Sequence, residues 1–231
     1  MRAFVSMALL CVSTAAFAKE TAVERLRNTT EVFNEIMATP DKSIPHDLIE
    51  KSQCVVIVPG LKKGAFIVGG EYGKGFVTCR NSSGMGWGGP AAIRVEGGSF
   101  GFQIGGEGTD VVMLVMNRRG VDQLTKSKFT LGADASIAAG PVGRASSAQT
   151  DAYMTAEILS WSRSRGLFAG LALKGATLRP DEDANRELYG KRLTTREVMA
   201  DEVPPPAAAA DLRAALDRYP MRKEGNADRV K

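Results

Sequence analysis

The sequence predicts an α+β domain: a glycine-rich antiparallel sheet, open or barrel-like, with an N-terminal amphipathic helix and short flanking helices. Three observations carry this. Apolar residues recur at helical steps of three and four from Val23 to Met37. From Cys54 to Met116 they fall instead in short runs rich in Val, Ile and Phe. Sixteen of the 25 glycines lie between Gly60 and Gly108. Short strands separated by glycine mean tight turns and close backbone approach, which favours antiparallel pairing or barrel-like closure.

Residues 1–18 join an early basic residue, Arg2, to the apolar run Ala3–Val12 and the triplet Ala16-Phe17-Ala18. That is the pattern of a cleaved secretion signal. The run falls short of the ~20 residues a membrane-spanning helix needs. The expected mature chain begins at Lys19, is periplasmic or secreted, and loses Cys11 with its signal. One domain is expected over 19–202, followed by a Pro/Ala-rich linker and flexible tail over 203–231.

Thr21-Ala22-Val23-Glu24 fits a capping box and opens the first helix. Val23, Leu26, Thr30, Phe33, Ile36 and Met37 form its apolar stripe, and Thr39-Pro40 ends it. A short helix is expected over Pro45–Ser52. Strands are expected at Cys54–Val58, Gly64–Val68, Gly75–Cys79, Ala91–Val95, Phe100–Ile104 and Val111–Met116, then a helix at Arg119–Lys126. Further strands are read at Phe129–Ala139, Gly143–Thr150 and Leu167–Leu173, with helices at Asp181–Leu188 and Thr194–Met199. One short helix is expected in the tail after Asp211. Cys54 and Cys79 each sit in a strand-like run. They are either a disulfide between neighbouring strands, worth about 3 kcal/mol by loop closure, or two buried thiols.

The residue inventory argues against an enzyme. His46 is the one histidine, so a Ser-His-Asp triad would depend on it alone. No CxxC or HxxxH spacing offers a zinc site, and no cofactor is expected. Gly84–Gly89 matches GxGxxG, but a polar turn precedes it, Pro90 follows, and no helix opens there to receive a phosphate. Glu107 and Asp110 flank a strand junction, where acidic side chains cap backbone amides. Asp181-Glu182-Asp183 suits a helix start. With 30 Lys and Arg against 26 Asp and Glu, the chain is mildly basic, far from a nucleic-acid-binding balance.

Longer strings are more specific. Gly101-Phe102-Gln103-Ile104-Gly105-Gly106-Glu107-Gly108-Thr109-Asp110, followed by Val111–Asn117, resembles the central signature of the SYLF lipid-binding family. Ser160–Leu171 resembles its second signature, and Asp183-Ala184-Asn185 with Tyr189-Gly190 its closing motif. Cys54–Gly73 is similar in order and spacing. The resemblance covers roughly Val23–Met199 and implies the exported, bacterial branch: a non-catalytic module that binds lipid, here anionic phospholipid or a membrane surface.

Membrane contact in eukaryotic relatives is attributed to the N-terminal helix and basic surface. Here that helix carries Glu24, Glu31 and Glu35 against Arg25 and Arg27, unlike the basic face of a membrane-surface helix, so it is expected to pack on the sheet. Lys62, Lys63, Arg118, Arg119, Lys126, Lys128, Arg163 and Arg165 are then the candidate lipid contacts. Each cation near an anionic membrane contributes about 1 kcal/mol. The alternative is an envelope scaffold that recognises a protein or polymer partner. An enzyme acting through Glu107 and Asp110 is the least favoured reading.

Overall fold

The computed structural model describes residues 20–39, 43–65, 69–81, 86–99, 108–143, 155–164, 167–171 and 173–221. The first helix, α1 (Ala22–Met37), begins as the sequence requires. Thr21 accepts the Glu24 backbone N–H, and the Glu24 carboxylate accepts the Thr21 amide in return. A short α2 (His46–Lys51) precedes the sheet.

Among the described residues the sheet has nine strands: β1 (Cys54–Ala65), β2 (Gly69–Cys79), β3 (Ala91–Ser99), β4 (Thr109–Val115), β5 (Phe129–Thr130), β6 (Ile137–Ala139), β7 (Ile158–Ser164), β8 (Leu167–Gly170) and β9 (Thr177–Pro180). Their spatial order is β5-β9-β3-β2-β1-β4-β7-β6, with β8 also on β7. All pairings are antiparallel except β6 with β7. The sheet curls into a half-barrel and stays open.

Two of the expected strands are one. Pro59-Gly60 interrupts the apolar pattern, yet β1 runs through it as a bulge, where its register with both β2 and β4 shifts. Gly60 supplies the left-handed backbone there, at φ +57°, and the extra residue bends the strand. Asp110 accepts the Gly60 N–H at 2.9 Å, the amide-capping role read for it in the sequence.

Both faces of the sheet are buried. Val55, Ile57, Phe76, Val112, Leu114 and Trp161 face α1, α2 and the C-terminal helices. Val56, Val58, Val77, Met113, Val115 and Ile158 face the opposite cover, which includes Phe129, Leu131, Leu173 and Val198. This is why the strand segments read as continuous apolar runs rather than alternating ones. Gly75 lets β2 cross β1 at the bulge, since a Cβ there would lie 2.0 Å from the Ile57 carbonyl oxygen.

The later elements are α3 (Arg118–Leu124), α4 (Glu182–Tyr189), α5 (Thr195–Met199), a 3₁₀ turn (Ala207–Ala209) and α6 (Ala210–Asp217). Asp181 and Thr194 cap α4 and α5. Within the segment expected as linker and tail, the short helix expected there is α6, and Leu212, Leu216 and Tyr219 join the core beside Phe33. The Trp87 indole N–H donates to the Leu216 carbonyl at 3.0 Å.

Other differences are local. Val23 belongs to the expected stripe but is 49% exposed, while Ala22 is buried in its stead. The strand expected over Phe129–Ala139 is two short strands, β5 and β6, separated by a turn. The Ile158–Ser164 and Thr177–Pro180 strands were not among those expected. Residues 1–18, Phe66–Val68 of the strand expected at Gly64–Val68, Phe100–Ile104, all but Gly143 of the strand expected at Gly143–Thr150, and residues 222–231 of the expected tail lie outside the described residues. Cys54 and Cys79 are bonded across directly paired positions of β1 and β2, which resolves the two alternatives in favour of the bridge.

Candidate functional site

The candidate cations among the described residues do not form one patch. β1 and β4 run antiparallel, so Cys54 pairs with Val115 at one end and Leu61 with Thr109 at the other. Lys62 and Lys63 therefore lie at one end of the sheet, and Arg118, just beyond β4, at the opposite end. At about 3.3 Å per residue, the Cys54–Lys62 stretch separates the two ends by about 25 Å. No single small headgroup can touch both.

At the first end, Lys62 is exposed and opposite Tyr72, and Lys63 stands opposite Glu71. Arg163 is spent on the fold: its Nε and Nη2 donate to Asp110 at 3.0 and 2.7 Å, and Nη1 donates to Glu35 of α1. Burial alone would lower this guanidinium, but its hydrogen bonds to Asp110 and Glu35, and their charges, outweigh it and hold it above its ordinary value. Arg163 thus ties α1 to the sheet and is a poor lipid contact. Arg165 lies outside the described residues, as does Glu107.

At the opposite end, Arg118, Lys126 and Lys128 are exposed and make no ion pair among the described residues. Arg119 is paired with the buried Glu157 at 3.0 Å, and Glu157 also accepts the Ser136 amide. Beside the Cys54–Cys79 disulfide lies a cavity of about 420 Å³. Arg80, Arg118 and Arg196 line it with Gln53, Val121, Thr125, Met199 and Met221, and among the described residues no carboxylate does. Arg196 and Arg118 are exposed at its rim.

Arg80 is only 8% exposed. Its guanidinium lies 3.9 Å from the Trp87 ring centre and donates to the Ile49 and Ser52 carbonyls at the end of α2. Its Nη1 is buried without a hydrogen-bond partner. Burial lowers this guanidinium to about 10, against the opposing fields of Asp217 and Glu50. Arg80 and Arg196 were missed because the burial of one and the placement of the other depend on residues far away in the chain. The three consecutive residues Thr78-Cys79-Arg80, a charge at the end of an apolar strand, were the only local signal.

Many of the described signature residues hold the fold together. Asn185 is fully buried; its Oδ1 accepts the Ala92 amide at 2.7 Å and its Nδ2 donates to the Leu193 carbonyl. Tyr189 donates to the Pro90 carbonyl at 2.9 Å, and Trp161 to that of Pro141. A Cβ at Gly170 would lie 2.2 Å from the Gly140 carbonyl oxygen. The Gly86–Pro90 turn likewise serves packing, around the buried Trp87. Among the described residues, no group of three or more His, Cys, Asp and Glu could hold a metal ion.

Fold and surface together define a small α+β half-barrel domain, packed on both faces of its sheet and carrying exposed cations at each end. Residues 96–219 match the Ysc84 family, described as Las17-binding protein actin regulator. The human SH3 domain-containing YSC84-like protein 1 is 33% identical over 210 residues, 90% of this chain and 60% of that protein. LAS seventeen-binding protein 3 of Saccharomyces cerevisiae is 32% identical over 180 residues, 77% of this chain and 39% of that one. The chain therefore belongs to the Ysc84 family, whose domain is the SYLF domain, and spans well under two thirds of these curated relatives.

Proposed function

We propose that this domain is a non-catalytic binding module of the cell envelope that contacts anionic phospholipid through its basic side chains. The observation that carries the reading is the fate of α1. Leu26, Phe33 and Ile36 are buried in the core, so the helix has no apolar stripe left to insert into a bilayer. Contact then falls to exposed cations without acid partners among the described residues, Arg118, Lys126 and Lys128 at one end and Lys62 at the other. The disulfide fits an oxidising compartment, in line with the secretion-signal pattern of residues 1–18.

Co-sedimentation of the chain from Lys19 with vesicles tests this. Binding to anionic but not zwitterionic vesicles, weakened by salt, is the expected result. Absence of binding to anionic vesicles at low salt refutes the reading. A protein partner is the second reading, favoured by the names of the relatives, one of which is a LAS seventeen-binding protein and another an SH3 domain-containing one.

A further inference from the structure

We propose that the cavity beside the Cys54–Cys79 disulfide binds a phosphate-bearing ligand, gripped by Arg118 and Arg196 with the buried charge of Arg80 behind them. The inference rests on the anionic-lipid reading and narrows it to one place.

Its volume, about 420 Å³, lies within the range of small-molecule sites. Its electrostatics are one-sided, with three guanidinium groups and no carboxylate among the described lining residues. Guanidinium forks match the geometry of phosphate oxygens and bind them bidentately.

Arg80 is the second, independent observation. A side chain this deeply buried ordinarily has its charge paired. Arg80 instead donates to two carbonyls, stacks on Trp87 and keeps Nη1 without a partner. Asp217 and Glu50 act on it only through space. An anion in the cavity supplies the missing counter-charge. Val121, Met199 and Met221 give the same cavity apolar walls, which suit a phosphate attached to a small apolar body rather than a bare ion.

Phosphate of this kind comes from a lipid headgroup or from a soluble phosphorylated molecule, and titration calorimetry on the oxidised chain from Lys19 separates the two. The probes are dihexanoyl phosphatidylglycerol as dispersed monomers, inorganic phosphate, and phosphatidylglycerol-containing vesicles. The variants are R118A/R196A, which alters exposed side chains only, and R27A on the exposed face of α1. A tenfold or greater loss of affinity for the short-chain lipid in R118A/R196A, with R27A unchanged, is expected.

Arginine-dependent binding of inorganic phosphate as tight as that of the lipid upholds the cavity and assigns it to soluble phosphates. Wild-type affinity of R118A/R196A for every probe overturns the proposal, and vesicle binding that persists in that variant leaves the broader lipid reading standing. Failure of the wild-type chain to bind any of the three probes overturns both.

Discussion

Replacing Leu216 with alanine tests whether the C-terminal helix is part of the domain. Leu216 is fully buried in the cluster that holds Phe33 and Trp87, and its carbonyl accepts the Trp87 indole N–H. Truncation removes three carbons from a packed site while keeping that carbonyl, so the cost is transfer plus cavity, about 3 kcal/mol. In a domain whose total stability is of order 5–15 kcal/mol, this lowers the midpoint of thermal unfolding by about 6–12 °C. Tryptophan fluorescence and far-UV circular dichroism follow the transition, with the exposed Asp211→Ala on the same helix as control. A loss below about 0.5 kcal/mol for L216A, equal to that of the control, refutes the packing described for α6.

Three further outcomes follow from other parts of the structure. Asp110→Ala leaves the Gly60 amide without its acceptor and Arg163 with Glu35 alone and is expected to cost about 1–3 kcal/mol in urea unfolding, with vesicle binding unchanged; a loss of binding without a loss of stability contradicts its structural role. Reduction of Cys54–Cys79, which spans 25 residues, is expected to cost about 3.5 kcal/mol by loop closure. Thiol titration of the unfolded, unreduced chain from Lys19 should find no free thiol, and two would disprove the bridge. Burial raises the Tyr189 hydroxyl well above its ordinary value near 10, so its contribution is full below that pH and is lost as pH climbs toward the folded value. Tyr189→Phe should cost about 1 kcal/mol at neutral pH and flatten the alkaline decline; an unchanged slope shows that other groups set it.

Legibility in the sequence followed the range of the forces involved. The α1 start was legible because Thr21 and Glu24 satisfy each other within one turn. The central strands were legible because burial on both faces leaves runs such as Val111–Val115 without polar interruption. The bulge at Pro59-Gly60 looked like a strand break because a local pattern does not show that Asp110, fifty residues on, receives the Gly60 amide. Thr177–Pro180 was overlooked for a related reason: a four-residue strand ending in proline carries almost no local signal and exists because β3 and β5 flank it.

The candidate site was legible only in part. Charge marked Arg163 and Arg118 equally, yet Asp110 and Glu35 occupy the first while the second stays open. Arg80 escaped notice because its environment is assembled from α2, Trp87 and the disulfide. The Pro/Ala composition of residues 203–210 resembled a linker, and only the long-range contact with Trp87 shows that the chain after it returns to the core.

The lengths of the outermost strands have a consequence for association. Among the described residues the sheet ends in β5 and β6, of two and three residues, and β8 beside β6 has four. Free edges this short give an incoming strand almost no ladder of amides and carbonyls to extend. Extended peptides and neighbouring copies therefore gain little by zipping onto this domain, which lowers its tendency to aggregate at high concentration. Recognition must instead come from side chains on its surface, and so can be retuned by substitution without disturbing the hydrogen-bonded framework beneath.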